Sequence, residues 1–514
     1  MKKIGFIDLG SNSARFVIYE IKDNESFHMI YQQKESIRLG EGLFEKNMLT
    51  PEAMERGITT LRGFVKMAKR MGVEEIFAIA TAAVRIAKNG PAFITRVKDE
   101  LDLTLRTISG EEEASLGFLG VINTISLKDF VLFDLGGASV EVSVVKNRKR
   151  IHSYSFPMGA VTLTEKFQSG KEYSEAERKE MEKFILRQFS EMKWLKNTKL
   201  PVIGIGGTVR NLAKIHQRST EYPIPRVHAY QMEATAVDKI FNEISQKSLG
   251  QRKRISGLST ERADIIVAGT AIIRTLLRYT QSNMLVISGS GLREGLFYEF
   301  YGDRYKNSNP IIEDIIAFST KNFLHSFDNQ DLEHVYYITN LAITLFHQWQ
   351  PLHQLPKEWE KYLLVASLLH DIGKEINYYS HERHSAYMLL NANLSGLSHQ
   401  EQSIAAYIAN YSHGSFDRIA KTFISANLLS DEEWQIISKL GVILACAEAL
   451  DESHEQGIKS VLTHFPKKDS VVLECVYNED MNLDIIKPSL EKLKKSFKKE
   501  FGATLICKWI HLHG

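Results

Sequence analysis

The chain has little cysteine, three residues in 514: Cys446, Cys475 and Cys507. An odd count with no close pair argues against a disulfide framework and against a cysteine-based zinc site; it reads as free thiols in a reducing cytoplasm. There is no apolar run of about 18 residues, so no transmembrane helix and no integral membrane association is expected. Met1-Lys2-Lys3 leads straight into a short apolar segment, Ile4 to Leu9, too short for a secretory h-region and followed by polar turn residues. Charge of one sign is lacking too: 64 Lys and Arg against 62 Asp and Glu leave a formal net charge of +2. No global basicity points to nucleic acid, and a polyanionic partner would have to be met by local positive charge.

What is present fits a globular chain, with 44% apolar, 25% charged and 10% aromatic residues. At about 150 residues per domain the length suggests three or four domains. The opening reads strand, tight turn, strand: Ile4 to Gly10, then Ser11-Asn12-Ser13, then Ala14 to Ile21. Helical spacing follows from Pro51 to Met71, with Thr50 as N-cap and proline at the first helical position. A strand at Ile76 to Ala80 comes next. Strands alternating with helices indicate an α/β domain. Near residue 130 the opening returns as Phe130 to Asp134, Leu135-Gly136-Gly137-Ala138-Ser139, then Val140 to Val145. This is an internal duplication with a period too long for a solenoid. Two further glycine-rich turns, Gly204-Ile-Gly206-Gly207-Thr208 and Ser288-Gly-Ser-Gly291, each follow an apolar strand.

After Tyr305 a polar linker, Lys306 to Pro310, ends in a proline stop. From Ile311 to Glu452 the pattern is mostly helical and rich in histidine; strand (Val471 to Tyr477), helix (Pro488 to Glu500) and strand (Thr504 to Ile510) close the chain. The expected division is 1–125 and 126–305 for two α/β halves, 311–460 for a helical domain and 465–514 for a small α+β appendix.

The duplicated turns point to phosphate. Glycines let successive backbone N–H groups approach an anion, since no Cβ intervenes. Gly10, Gly136, Gly137, Gly206 and Gly207 would serve this way, with hydroxyl or amide donors from Ser11, Asn12, Ser13, Ser139 and Thr208. Asp8 and Asp134 end their strands, where a carboxylate can hold magnesium, and Glu141 lies on the return strand near enough to help. A lone Asp-x-Gly turn is usually only a hairpin; two related copies with two more glycine turns are not so easily explained. Glu111-Glu112-Glu113 opens a helix after Ser109-Gly110, a place that suits the helix dipole and also suits a base that orients water. Arg85, after Thr81-Ala-Ala-Val84, can clamp a phosphate through two N–H groups.

Together these pieces resemble the exopolyphosphatase / guanosine-pentaphosphate phosphohydrolase family, within the superfamily of sugar kinases, actin and heat-shock ATPases. The matching segments are Asp8 to Ser13, Ala80 to Arg85, Ser109 to Ala114, Asp134 to Glu141, Gly204 to Thr208, Glu261-Arg262-Ala-Asp264 and Ser290 to Gly295, in family order over about residues 1 to 300. The resemblance implies a duplicated actin-like (ribonuclease H-like) α/β core. It implies magnesium-dependent attack of water on a terminal phosphoryl group, with Glu113 as the water-activating base. Asp134 and Glu141 match its magnesium and catalytic carboxylates, and Asn12, Arg85 and Ser139 its phosphate contacts. It also implies a homodimer. The family turn carries glycine and threonine where this chain has Ala138 and Val140, which bears on fine phosphate geometry.

In the histidine-rich part, Glu333-His334 opens a helix, an apolar helix runs into His370-Asp371, and His381, His384 and His413 follow. A histidine, a His-Asp pair and a distant acid can make an N/O metal site. This resembles the HD-type metal phosphohydrolase domain, which implies a second divalent metal. Its final acid aligns with Glu448, with Asp451 as a second candidate. Lys492, Lys494, Lys495, Lys498, Lys499 and the run Arg252-Lys-Arg254 are solvated faces or a path for a polyanion. The leading expectation is an exopolyphosphatase acting on inorganic polyphosphate. The alternatives are hydrolysis of guanosine pentaphosphate (pppGpp to ppGpp), a non-catalytic polyphosphate or alarmone sensor, and an ATP-driven kinase or chaperone of the same fold.

Overall fold

Burial of every residue from Ile4 to Leu9 makes β1 (Lys2–Leu9) a central strand. β2 (Ser13–Ile21) and β3 (Phe27–Ser36) return beside it as an antiparallel meander. The computed structural model describes the chain except residues 42, 44–46, 171, 413, 414, 417–422, 479, 480 and 512–514. On the other side of β1 lie β4 (Glu75–Ala80) and β5 (Leu105–Thr107), both parallel, giving the order β3-β2-β1-β4-β5. Helix α1 (Pro51–Arg70) covers this sheet through Ile58, Leu61 and Phe64, and Phe64 stacks on Phe16 at 5.3 Å. Thr50 caps α1 by accepting from the Ala53 N–H, with Pro51 at the start as the sequence predicts.

After α2 (Gly110–Ile122) the same design is built again. β6 (Phe130–Leu135), β7 (Val140–Lys146) and β8 (Lys149–Phe156) form the meander, and helix α3 (Ala160–Phe167) follows. β9 (Val202–Ile205) lies parallel to β6; after α4 (Gly207–Ser219), β10 (Tyr230–Glu233) and α5 (Ile266–Thr280), β11 (Met284–Ile287) lies parallel to β9. The order β10-β11-β9-β6-β7-β8 repeats that of the first sheet, with β10 added antiparallel at the edge. The duplication seen in the sequence is thus one of topology.

One segment departs from the expected halves. Helix α6 (Leu292–Tyr305) packs on the first sheet, not the second: Phe297 stacks on Tyr19 at 4.0 Å, and Phe297 and Phe300 both meet Phe6 edge-on. Two glycines permit its close crossing with α2, since a Cβ on Gly120 would overlap the Gly291 carbonyl and one on Gly295 the Leu116 carbonyl. The expected linker is tied down as well. Asn123 donates to the Pro310 carbonyl at 2.7 Å and accepts from the Ile312 N–H at 2.9 Å. The division between the two compact units falls between Glu313 and Asp314.

The second unit is helical at first, with α7 (Leu332–Gln348), α8 (Glu360–Leu369), α9 (His381–Asn391), α10 (His399–Ala409) and α11 (Asp431–Ala449) among its helices. A three-stranded sheet follows: β12 (Ile458–Lys467), β13 (Ser470–Tyr477), then α12 (Leu483–Phe501) and β14 (Thr504–His511). The sequence reading missed β12, an edge strand that is mostly exposed and carries Pro466, so it lacks an alternating apolar signature. It also began α12 at Pro488; Asn482 caps the helix earlier, and the proline sits inside it. Trp349 beyond α7 packs on Phe497 of α12 at 5.0 Å, so helices and sheet share one core, and a boundary between 460 and 465 would cut β12. Among the described residues no helix is long and apolar enough to cross a membrane.

Candidate active site

The two turns are built alike down to single hydrogen bonds. Gly10 N–H donates to the Ser13 carbonyl at 3.1 Å, and Gly136 N–H to the Ser139 carbonyl at 3.0 Å. In both, a Cβ on the glycine would press on that carbonyl at 3.2 Å. Ser11, Asn12, Gly136, Gly137 and Ala138 lie exposed at the turn tips, so Ala138 adds its methyl at an open edge. The second turn is further held by α3: the N–H groups of Val161 and Thr162 donate to the Gly137 carbonyl, and a Cβ on Gly159 would overlap that same group.

Four carboxylates converge on these turns. Asp134 is held up at about 7, first by burial and then by Glu141 and Glu113, against the pull of Arg210 and Arg15. Glu113 is raised by burial, held down by Arg85, and raised by Glu141 and Asp8. Burial also raises Asp8. Acids that oppose one another's ionisation in a polar cleft make a donor set for a hard divalent cation. Asp8, Asp134 and Glu141 carry oxygen donors of the kind such an ion takes. Glu141 is fixed by hydroxyl donors from Ser139 at 2.7 Å and Ser155 at 2.8 Å.

Glu113 stands in the first turn of α2, capped by Ser109, where the helix dipole favours negative charge. Arg85 Nη1 lies 3.1 Å from Glu113 Oε2 and donates to the Ile108 carbonyl at 2.7 Å. Arg85, expected as a phosphate clamp, therefore spends one nitrogen positioning the acid. Glu112 is drawn away to Arg106, while Glu111 is exposed.

The third glycine turn meets the site at the start of α4. Gly206 adopts φ +114°, where a Cβ would come within 2.7 Å of the Leu135 carbonyl. A Cβ on Gly207 would strike the Arg262 guanidinium, so that cation lies directly over the turn. Thr208, expected as a phosphate donor, is 1% exposed with its side chain against Gly269 of α5. Helix geometry turns that side chain into the core and leaves only its backbone N–H at the helix start.

Sequence reasoning missed most of the positive charge. Arg15 repels Lys34, Arg210 and Arg262, lowering each behind the larger effect of burial; Arg210 falls to about 10. Arg293 acts on Asp8 and Arg210. Arg210 Nε and Arg293 Nη1 are buried without a hydrogen-bond partner among the described residues. These residues come from five separate elements and form no run. The run that was noticed, Arg252 to Arg254, offers no surface path at its first member, because Arg252 is 0% exposed.

In the second unit the structure brings together His334, His370 and Asp371. Asp451 lies behind His334, its Oδ2 2.8 Å from Nδ1, and Glu448 stands outside the converging set. Burial raises Glu448 to about 8, with Asp371 adding to the effect. His413 lies outside the described residues.

Backbone N–H groups at two matched turns, carboxylates that converge on them, and a cluster of cations drawn from several elements define a hydrolase of phosphoanhydride bonds on an actin-like fold. Sequence profiles agree: that of the Ppx/GppA phosphatase family matches residues 17–303, and that of Ppx/GppA phosphatase domain III matches 318–491. The chain belongs to the Ppx/GppA phosphatase family, whose members are generally dependent on a divalent metal. It is 30% identical over 418 residues to a guanosine-5'-triphosphate,3'-diphosphate pyrophosphatase of Pseudoalteromonas atlantica, covering 79% of this chain and 78% of that protein. The Aquifex aeolicus Ppx/GppA crystal structure matches 60% of this chain and 99% of its own at 28% identity and TM-score 0.54. An exopolyphosphatase from Cytophaga hutchinsonii matches 59% and 98% at 26% identity and TM-score 0.55.

Proposed function

We propose that the protein is an exopolyphosphatase that uses magnesium to release terminal orthophosphate from inorganic polyphosphate. The observation that carries this reading is a row across the first sheet: Asp8 pairs with Arg15 on β2, and Arg15 pairs with Lys34 on β3. Directly paired residues share a sheet face, so two cations extend in line from the acid toward the exposed edge strand. An extended polyanion suits such a row. The terminal phosphate sits at the two turns, and the following phosphates meet Arg15, Lys34 and Arg262.

Glu113 orients a water and takes its proton as the water oxygen bonds to the terminal phosphorus. The bridging P–O bond breaks, and the electron pair leaves with the shortened chain. Burial raises the basicity of Glu113, while Arg85 opposes that rise and aims the carboxylate. Backbone N–H groups of both turns and the start of α4 hold the equatorial oxygens. Three free thiols, two of them buried, fit a cytoplasmic setting.

A second reading, hydrolysis of pppGpp, is favoured by the Pseudoalteromonas relative and uses the same cleft. The test is phosphate release from long polyphosphate and from pppGpp at matched terminal-phosphate concentration with magnesium, and Glu113→Gln as control. Faster Glu113-dependent release from polyphosphate supports the first reading. Preference for pppGpp transfers the function to the second. Release from neither substrate overturns both and leaves a binding protein.

A further inference from the structure

Arg262 ends a single helical turn, Thr260–Arg262, in the connection that leads into α5. Among the described residues its guanidinium makes no hydrogen bond and no ion pair. Burial and the like charge of Arg15 work against its ionised form, while Glu261 and Asp264 favour it. Its place over Gly207 is therefore set by the backbone that carries it.

That backbone runs along one face of α4. Gly207, Asn211 and Lys214 recur at helical spacing and so share a face. Arg262, Ser259 and Gly257 meet them in reverse order. At one end the Arg262 guanidinium packs against Gly207, where a Cβ would strike it. At the other, Gly257 adopts φ +90°, and a Cβ there would come within 2.5 Å of the Lys214 carbonyl. Arg252 Nη1 donates to the Asp264 carbonyl at 3.3 Å and ties the two ends of the connection together.

Asn211 stands between these contacts. It is 7% exposed, and both ends of its amide are used. Nδ2 donates to the Gly207 carbonyl one turn back at 2.8 Å, which directs the side chain toward the start of α4. Oδ1 accepts from the Ser259 N–H at 2.8 Å. The Ser259 carbonyl in turn accepts from the Arg262 N–H at 3.0 Å. One side chain therefore joins the third glycine turn to the segment that bears the cation. An amide suits this junction, since one neighbour accepts and the other donates.

On the reading that Arg262 meets a phosphate of the substrate, we propose that Asn211 is a positioning residue, which sets the Arg262 guanidinium over Gly207 and acts on substrate only through it. A phosphate held by N–H groups at the start of α4 then meets the cation in one fixed register. Without the Ser259 bond the segment loses its tie to α4, and repulsion from Arg15 moves Arg262 off the turn.

The experiment is a double-mutant cycle on the full chain, with polyphosphate and pppGpp assayed in parallel at fixed magnesium. Asn211→Ser keeps a hydroxyl that can donate to the Gly207 carbonyl and is too short to reach Ser259. It should raise KM by about 3–10-fold and leave kcat within about 2-fold. Gly257→Ala pushes the same segment away from α4 without touching Asn211 and should give a similar rise. Arg262→Gln should raise KM at least as much, and adding Asn211→Ser to it should change KM no further. An unchanged KM in Asn211→Ser, or effects that multiply in the double variant, would overturn the positioning role while Arg262→Gln still supports the phosphate contact. An unchanged KM in Arg262→Gln for both substrates would remove that contact and the positioning role with it.

Discussion

Arg15 and Glu141 occupy the same place in two copies of one turn. Each lies directly across the sheet from the aspartate that ends the neighbouring strand, Arg15 from Asp8 and Glu141 from Asp134. Beyond them the rows diverge again, to Lys34 in the first sheet and Ser155 in the second. At this one position the duplicated scaffold thus presents a cation from one half and an acid from the other. Arg15→Gln should raise KM for polyphosphate by about 10–100-fold with a smaller effect on kcat, because it removes a charge-assisted ground-state contact. Steady-state kinetics at fixed magnesium would check this, and an unchanged KM would count against the cation row.

Glu113→Gln should lower kcat by about 10²–10⁴-fold while leaving polyphosphate binding nearly intact. The amide keeps the shape and the Arg85 contact but cannot accept the proton. A filter-binding or calorimetric titration beside single-turnover rates separates the two effects; loss of binding in step with rate would remove Glu113 from the base role.

Gly159→Ala should damage the second turn without touching the first. The added methyl would overlap the Gly137 carbonyl, so backbone must shift where phosphate is held. A cost of about 1–3 kcal/mol is expected from such overpacking, read as a lower urea midpoint together with reduced phosphate release. Ala138→Gly, at the exposed tip, should leave the midpoint nearly unchanged.

His228 gives the first unit a pH dependence. Its Nδ1 accepts from the Gly289 N–H at 3.0 Å, and burial lowers its pKa to about 4. Because the folded value lies below the ordinary 6.5, the unfolded chain binds more protons between the two values. Stability is then full above about 6.5 and falls as pH drops toward about 4. Chemical denaturation at pH 7 and pH 5 should show this slope, and His228→Gln should flatten it; an equal slope in the variant would refute the assignment.

Much of the architecture was legible because it is local. Thr50-Pro51 started a helix where capping and proline geometry required one, and two Asp-x-Gly turns five residues short of a serine announced the duplication. β12 escaped because an edge strand exposed on most of its length carries no periodic apolar code. Helix α6 was assigned to the wrong half because its Phe297 and Phe300 face reads only as apolar, and nothing in the sequence says which sheet will cover it.

The sequence by itself determined the chemistry-bearing turns, since the need for glycine near an anion and for an acid at a strand end is met within a few residues. It also determined the acid at the start of α2, through Ser109 and the dipole. Only the tertiary structure decided where charge collects. Arg15, Lys34, Arg210, Arg262 and Arg293 stand on different strands and helices, and only sheet register and helix packing turn them toward one cleft. The same holds for His334, which meets His370 and Asp371 only when α7 packs beside α8. Electrostatic interaction depends on distance through space, and separation along the chain does not encode it.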